Sequence, residues 1–426
     1  MSELVTPESV GFSSSRLRRI SEWMESKVER KHLPGMSVLV HRQGQTAFFE
    51  TVGHMDVEAA KPVAEDTIFR IYSMTKPITS IAVMMLYEEG LFQLDDPVAR
   101  FLPEFTDMQV YAGETANGPK LEPAKTLITI RQLLTHTAGL TYDFMMSSPV
   151  DAMYRANKIK FSTGKSGSLE SMVKRLAEMP LLCHPGTEWN YSVATDVLGR
   201  LVEVISGQSL DRFFAERILE PLGMVDTAFQ VPEDKLDRFA AMYTPTPGTA
   251  VPLPASGPDP ARIHPAPKGG LQLMDPADGI FARSVQILSG GGGLTSTMVD
   301  YLRFCRMLRN KGELDGVRII GRKTLEFMTR NHLPGSLADM GQPRFGAESD
   351  GAGLGFGLGF AIVLDPARAQ TIGSVGEYAW TGVASTQFWI DPVEDMIVLQ
   401  MSQLVPSSTF PLRRELRALT YQALIE

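Results

Sequence analysis

Apolar residues recur along this chain at two alternating spacings. From Ser14 to Lys31, Leu17, Ile20, Trp23, Met24 and Val28 return at helical intervals, with Arg and Glu elsewhere; this predicts an amphipathic helix laid on a flat surface. Residues 36–41 and 46–52 are short apolar runs split by Gln43-Gly44, the pattern of a β-hairpin. A further apolar run, Ile68-Phe69-Arg70-Ile71-Tyr72, stops at Ser73. Ile78, Ile81, Ala82, Met85 and Leu86 then recur at helical spacing until Gly90. Pro77 is tolerated because it falls in the first turn, where its missing N–H costs no hydrogen bond.

The middle of the chain reads as mostly helical. Thr129 caps a segment through Leu133 and Leu134 that ends at His136-Thr137-Ala138-Gly139-Leu140. Residues 169–179, 193–205 (ended by Gly207), 210–219 and 298–308 carry the same periodicity. Residues 106–127 read as a polar, irregular surface insertion, and 147–168 as loop. Between Pro245 and Pro276 lie nine prolines, which makes that stretch a linker or, as we expect, a cover over a site. Residues 331–355 form a Gly-rich loop. Period two returns at 378–381, 386–390 and 396–401, and a last helix carries Leu412, Leu416, Leu419 and Leu424. Helix and hairpin in front, strands and helix behind, predict an α+β fold. Its antiparallel sheet, flanked by helices, would be built from both chain ends, 1–80 and 285–426, with about 180–215 joining it. Residues 81–284 would form a mostly helical domain lining a cleft. No internal repeat is present.

Composition narrows the classes. The 426 residues, 43% hydrophobic and 21% charged, are ordinary for a globular protein but exceed one compact core. The net charge of −8 argues against nucleic acid or an anionic membrane as partner. No apolar run reaches the ~20 residues of a membrane span. The start, Met1-Ser2-Glu3-Leu4-Val5-Thr6-Pro7, lacks the pattern of a signal peptide, so a cytoplasmic enzyme is expected. Cys183 and Cys305 sit in apolar contexts and read as buried free thiols. No metal-ligand spacing involves them, and neither metal nor cofactor is expected.

The candidate chemistry centres on Ser73. Lys76 lies one helical turn further on, so both side chains share a face. A serine hydroxyl becomes a useful nucleophile when a neighbouring amine, kept neutral by burial, takes its proton. Ser-x-x-Lys is a cheap pattern, and Ser162-Thr163-Gly164-Lys165 and Ser171-Met172-Val173-Lys174 repeat it. The first falls in a Gly/Ser-rich loop and the second on a solvent face. Context selects Ser73. His136, at a helix end among threonines, reads as a capping or hydrogen-bonding residue rather than a triad member, and His184 as a turn residue. No Gly-x-Ser-x-Gly elbow occurs.

With Ser73-x-x-Lys76, Tyr191-Ser192 after the Pro185-Gly186 turn, and Trp380-Thr381-Gly382 before the final strands, the chain resembles the serine β-lactamase and penicillin-binding-protein superfamily. It is most similar to the class C β-lactamase-like, or family VIII, carboxylesterases. Residues 133–140 and Gly292-Gly293-Leu294 share the likeness, which covers nearly the whole chain. It implies a β-lactamase/transpeptidase-like fold and roles for residues that read otherwise as packing. Ser73 would be acylated, Lys76 would hold or relay its proton, and Tyr191 would act with Lys76 as general base and later activate water. Trp380, Thr381 and Gly382 would occupy an edge strand lining the site. The backbone N–H groups of Ser73 and Val383 would form the oxyanion hole. Apart from the resemblance, Met74, Met84, Met85, Met145 and Met146 read as pliable core filler, of which those near Ser73, Met74 first, could instead line an adaptable acyl pocket.

Two positions depart from the β-lactamase pattern. Val193 stands where Asn is usual, and Trp380 where a cationic Lys is usual. Both remove polar recognition of a β-lactam, and an aromatic wall suits an uncharged group. The expected activity is hydrolysis of short- to medium-chain, largely uncharged carboxylic esters. A β-lactamase or D-amino-acid peptidase/amidase is the first alternative and an acyltransferase the second. The expected partner is a small-molecule ester.

Overall fold

The computed structural model of the chain describes residues 4–160, 167–246, 269–283, 285–341 and 351–426. Gln43 and Gly44 both take positive φ, 51° and 78°, the two-residue turn whose twist matches antiparallel strands. They join Gly35–Arg42 to Gln45–Asp56. Gly35–Arg42 also pairs antiparallel with Met396–Ser402, Leu39 opposite Leu399, so the two ends of the chain share one sheet as expected. Its eight strands run in the order 354–356, 361–363, 378–382, 386–391, 396–402, 35–42, 45–56 and 61–62.

Side chains alternate strictly between two apolar clusters. Val38, Val40, Met396, Val398 and Trp389 face one; Leu39, Ile397, Leu399, Phe388 and Ile390 face the other. Both faces are covered, so these strands read as near-continuous apolar runs. On the first face lie the helices Ser14–Glu29 and Leu412–Tyr421, whose Leu17, Ile20, Met24, Leu412 and Leu416 join its cluster. They are tied by Glu415, which meets Lys27 at 2.7 Å and Trp23 Nε1 at 2.8 Å. On the second face lie Thr75–Glu88 and Met298–Arg309. Thr75–Glu88 is buried on every side from Thr75 to Leu86, its polar Thr75, Lys76, Thr79 and Ser80 included.

Three expectations are corrected. Residues 106–127 contain a hairpin, Gln109–Thr115 paired with Gly118–Pro123. Its strands are largely exposed, so no apolar alternation marks them. Residues 147–168 contain the helix Pro149–Ala156, begun by a Ser148–Asp151 capping box. Trp380-Thr381-Gly382 does not occupy an edge strand, because two short strands extend the sheet beyond it. Only Tyr378 and Ala379 pair outward, with Ala361–Val363, so 380–382 stay uncovered on that side and can border a cleft. The flanks of the proline-rich stretch pair as Met242–Pro245 with Leu271–Asp275. Residues 247–268, and with them the expected cover, lie outside the described residues, as does Ser162-Thr163-Gly164-Lys165.

A buried ion pair pins the approach to Ser73. Arg70 is fully buried; its guanidinium bonds Asp275 at 2.8 Å and the Pro276 carbonyl at 3.0 Å, and lies 4.1 Å over the Phe239 ring. Removing one partner of such a pair strands the other charge. Asp275→Ala should therefore lower the unfolding free energy by about 3–5 kcal/mol in urea titration. Lys174→Ala, which breaks a pair exposed on both sides, should leave the urea midpoint unchanged.

Candidate active site

The strand Phe69–Arg70 ends in a single tight turn, Tyr72–Met74, from which Thr75–Glu88 begins. This turn places Ser73 at the mouth of the helix. One turn later Lys76 is buried, and its Nζ donates to Ser73 Oγ at 3.2 Å, Tyr142 OH at 2.9 Å and the Gly291 carbonyl at 2.6 Å. Tyr191, carried on the segment before the helix Ala194–Ser206, donates its hydroxyl to Ser73 Oγ at 2.5 Å. The structure thus brings together Ser73, Lys76 and Tyr191, which lie far apart in the chain.

The third wall is set by close backbone approach. A Cβ at Gly382 would lie 2.4 Å from the Ile71 carbonyl oxygen and 2.2 Å from Thr386 Oγ1. Only glycine lets this strand run against the residue two before Ser73, and Val383 follows on the wall of the site. A cavity of about 180 Å³ opens over Ser73, lined by Trp189, Tyr191, Trp380, Thr381 and Leu354 and also by the charged Glu377, Arg413, Arg414 and Arg417. Its lining is mostly apolar. Met74 does not line it: the side chain is fully buried in the core behind Ser73, and its carbonyl accepts from Tyr301 OH at 2.9 Å.

Burial decides the protonation states. It pulls Lys76 down to about 7, with the negative charge of Asp196 partly opposing. The same burial pushes Tyr191 up, against the hydrogen bond to Ser73, and drives Tyr142 well above the usual phenol range. At neutral pH both phenols keep their protons, and the amine is the group that titrates.

His136 belongs to no triad. Its Nδ1 lies 3.2 Å from Ser192 Oγ, and its ring packs 5.1 Å from Tyr191 and 5.5 Å from Phe356. Burial, and then the Lys76 charge, hold it in the neutral form. His184 meets Glu122 at 2.9 Å beside its turn. Sequence reasoning missed Tyr142, which binds Lys76 and stacks on Phe144 at 4.6 Å. It also missed Gly291 as an acceptor. Tyr142 stands two residues beyond Leu140, in a segment without periodicity, so only the nearby His-Thr-Ala-Gly-Leu stretch pointed towards it.

The sequence profile of the beta-lactamase family matches residues 20–422. The chain belongs to that family. Esterase EstB of Burkholderia gladioli is 32% identical over 92% of this chain and 91% of its own. Among solved structures, EstCE1, described as a hydrolase with promiscuous acyltransferase activity, superposes with a TM-score of 0.76 at 28% identity, covering 97% of this chain and 99% of that one. Simvastatin synthase (LovD) from Aspergillus terreus gives 0.76 at 25% identity over 97% and 98%. The protein is a serine hydrolase of the β-lactamase fold.

Because Gly382 governs how closely the strand meets the Ser73 turn, Gly382→Ala should displace Val383. A misplacement near 1 Å costs about 100-fold in rate. We expect kcat/KM on a p-nitrophenyl ester to fall by that order with the circular dichroism spectrum unchanged.

Proposed function

We propose that the protein is a carboxylesterase that forms an acyl-enzyme on Ser73 and acts on short- to medium-chain, largely uncharged esters. The observation that carries this reading is one hydroxyl contacted at once by a buried amine and a buried phenol. Neutral Lys76 takes the Ser73 proton as Oγ attacks the ester carbonyl carbon. The carbonyl oxygen becomes an oxyanion received by the backbone N–H groups of Ser73 and Val383. Collapse breaks the bond to the alkoxy oxygen, which leaves as alcohol with a proton passed from Lys76 through Tyr191. Water then attacks the acyl carbon and gives a proton to the same pair; collapse breaks the bond to Ser73 Oγ, which takes that proton from the pair, and the acid leaves with Ser73 restored. Tyr191 serves here as a proton relay, since its buried phenol is too weakly acidic to start as the base.

The mostly apolar cavity and the indole of Trp380, 5.6 Å from the Tyr191 ring, support an uncharged substrate. The indole N–H of Trp380 is buried and directed at the Tyr191 hydroxyl, whose ionised form it favours. Acyl transfer is the second reading. It needs only an alcohol in place of water at the same acyl-enzyme, and the likeness to EstCE1 and simvastatin synthase supports it.

A fluorophosphonate probe should label Ser73 by mass spectrometry; labelling elsewhere in an active preparation would overturn the proposal. Ser73→Ala should abolish ester turnover. Lys76→Ala and Tyr191→Phe should each lower kcat by about 100- to 10,000-fold, the range for lost acid–base catalysis. A chromogenic cephalosporin should turn over far more slowly than a p-nitrophenyl ester, and excess alcohol should divert product from acid to new ester where transfer operates. Since Lys76 acts unprotonated, kcat/KM should rise with pH through about 7.

A further inference from the structure

Asp196 lies in the first turn of Ala194–Ser206, five residues after Tyr191, and is completely buried. It does not cap its own helix. Its Oδ1 accepts from Ser289 Oγ at 2.5 Å and from the Gly291 N–H at 3.1 Å, while Oδ2 has no hydrogen-bond partner among the described residues. A Cβ placed on Gly291 would lie 2.5 Å from Asp196 Oδ2 and 3.0 Å from Tyr142 OH. The carboxylate and the phenol therefore converge on one glycine, and that glycine's carbonyl receives Lys76. Gly290 completes the arrangement. Its carbonyl accepts from Thr79 Oγ1 at 2.7 Å, and a Cβ there would meet the Thr195 carbonyl oxygen at 2.7 Å. The glycine pair is wedged between the Ser73 helix and the helix that follows Tyr191, clamped to one by Asp196 and to the other by Lys76 and Thr79.

We propose that Asp196 is a positioning residue for the catalytic amine. It anchors the glycine loop whose carbonyl holds Lys76, and it supplies the buried negative charge that balances the Lys76 ammonium. The inference rests on Ser73, Lys76 and Tyr191 being the working site. A fully buried ammonium without a counter-charge would be expelled or deprotonated, yet among the described residues no carboxylate touches Lys76 directly. Asp196 acts across the Gly291 peptide without a direct ion pair. Burial pushes its own carboxyl up; the Lys76 charge and the hydrogen bonds from Ser289 and Gly291 oppose that and favour the ionised form. Its charge in turn opposes the effect of burial on the amine. The other titratable groups facing this pair are Tyr142, from the loop after Leu140, and Tyr191, both held neutral by burial, with neutral His136 on the far side of Lys76. None of them supplies an alternative negative charge at neutral pH.

The sign of the effect follows. Removing the Asp196 charge destabilises the Lys76 ammonium, so the amine becomes a competent base at lower pH. Asp196→Asn keeps the size and the acceptor for Ser289 and Gly291 while removing the charge. We expect the acid limb of kcat/KM on a p-nitrophenyl ester to move down by about one to three pH units, the usual effect of an opposite charge. A purely structural role would lower the rate at every pH and leave the limb in place; that result overturns the proposal. If the Asn variant fails to fold, Ser289→Ala strips a donor that favours the ionised Asp196 carboxyl, so part of the charge is lost and the limb should move the same way by less. An unmoved limb in a folded Ser289→Ala protein also overturns it. The pH dependence of fluorophosphonate labelling at Ser73 provides a second reading of the same shift. If the wild-type protein is labelled away from Ser73, the underlying site assignment fails, whatever the variants do.

Discussion

A buried ammonium held by three oxygens organises this molecule. Lys76 reaches Ser73, Tyr142 and the Gly291 carbonyl from a single helical turn, and each acceptor comes from a different part of the chain. An amine removed from water is costly unless every proton is directed at an acceptor. The demand for acceptors draws the loop after Leu140, the glycine loop and the Ser73 turn to one point. The same removal from water brings the amine into the pH range where it can take a proton. Stability and reactivity thus share one source, and the site cannot be made drier or wetter without changing both.

Around this point the sheet acts as a platform with one deliberate thinness. Gly382 lets a strand lie against the backbone just before Ser73, where any side chain would hold it away. On the opposite side Gly290 and Gly291 do the same for a loop against two helices. Glycine here lets backbone approach backbone and side chain more closely than bulkier residues allow. The charged network of Arg70 and Asp275 holds the incoming strand, so the tight turn at Ser73 has a fixed origin.

Much of this was legible in the sequence, and the failures have physical reasons. The hairpin at Gln43-Gly44, the helix after Ser73 and the return of the chain end to the sheet announce themselves through period and turn chemistry. The exposed hairpin of Gln109–Thr115 with Gly118–Pro123 has no buried face, so no apolar alternation flanked the Asn117-Gly118 turn signal, and it stayed hidden. Pro149–Ala156 is short and begins at a proline within a polar stretch, so its cap was easy to overlook. The place of Trp380-Thr381-Gly382 inside the sheet depends on two three-residue strands too brief to carry a pattern. Ser73 and Lys76 were readable because they share one turn of helix. Tyr191 needed the family likeness, and Tyr142 and Asp196 needed coordinates, since long-range approach leaves no spacing to read. Met74 was misjudged because adjacency in sequence to a nucleophile does not fix which way a side chain turns.

The pairing of Gly35–Arg42 with Met396–Ser402 also governs how the chain is made. The front hairpin leaves the ribosome about 350 residues before its neighbour, on the order of 20–70 seconds at ~5–20 residues per second. Through that interval one side of a long apolar strand has no partner, the kind of open margin that invites association between chains. The helix Ser14–Glu29 can shield one face of the hairpin from the outset, but its hydrogen-bonding rim stays open until the final strands arrive. Birth of this enzyme is therefore a race between late closure of its sheet and capture by other nascent chains.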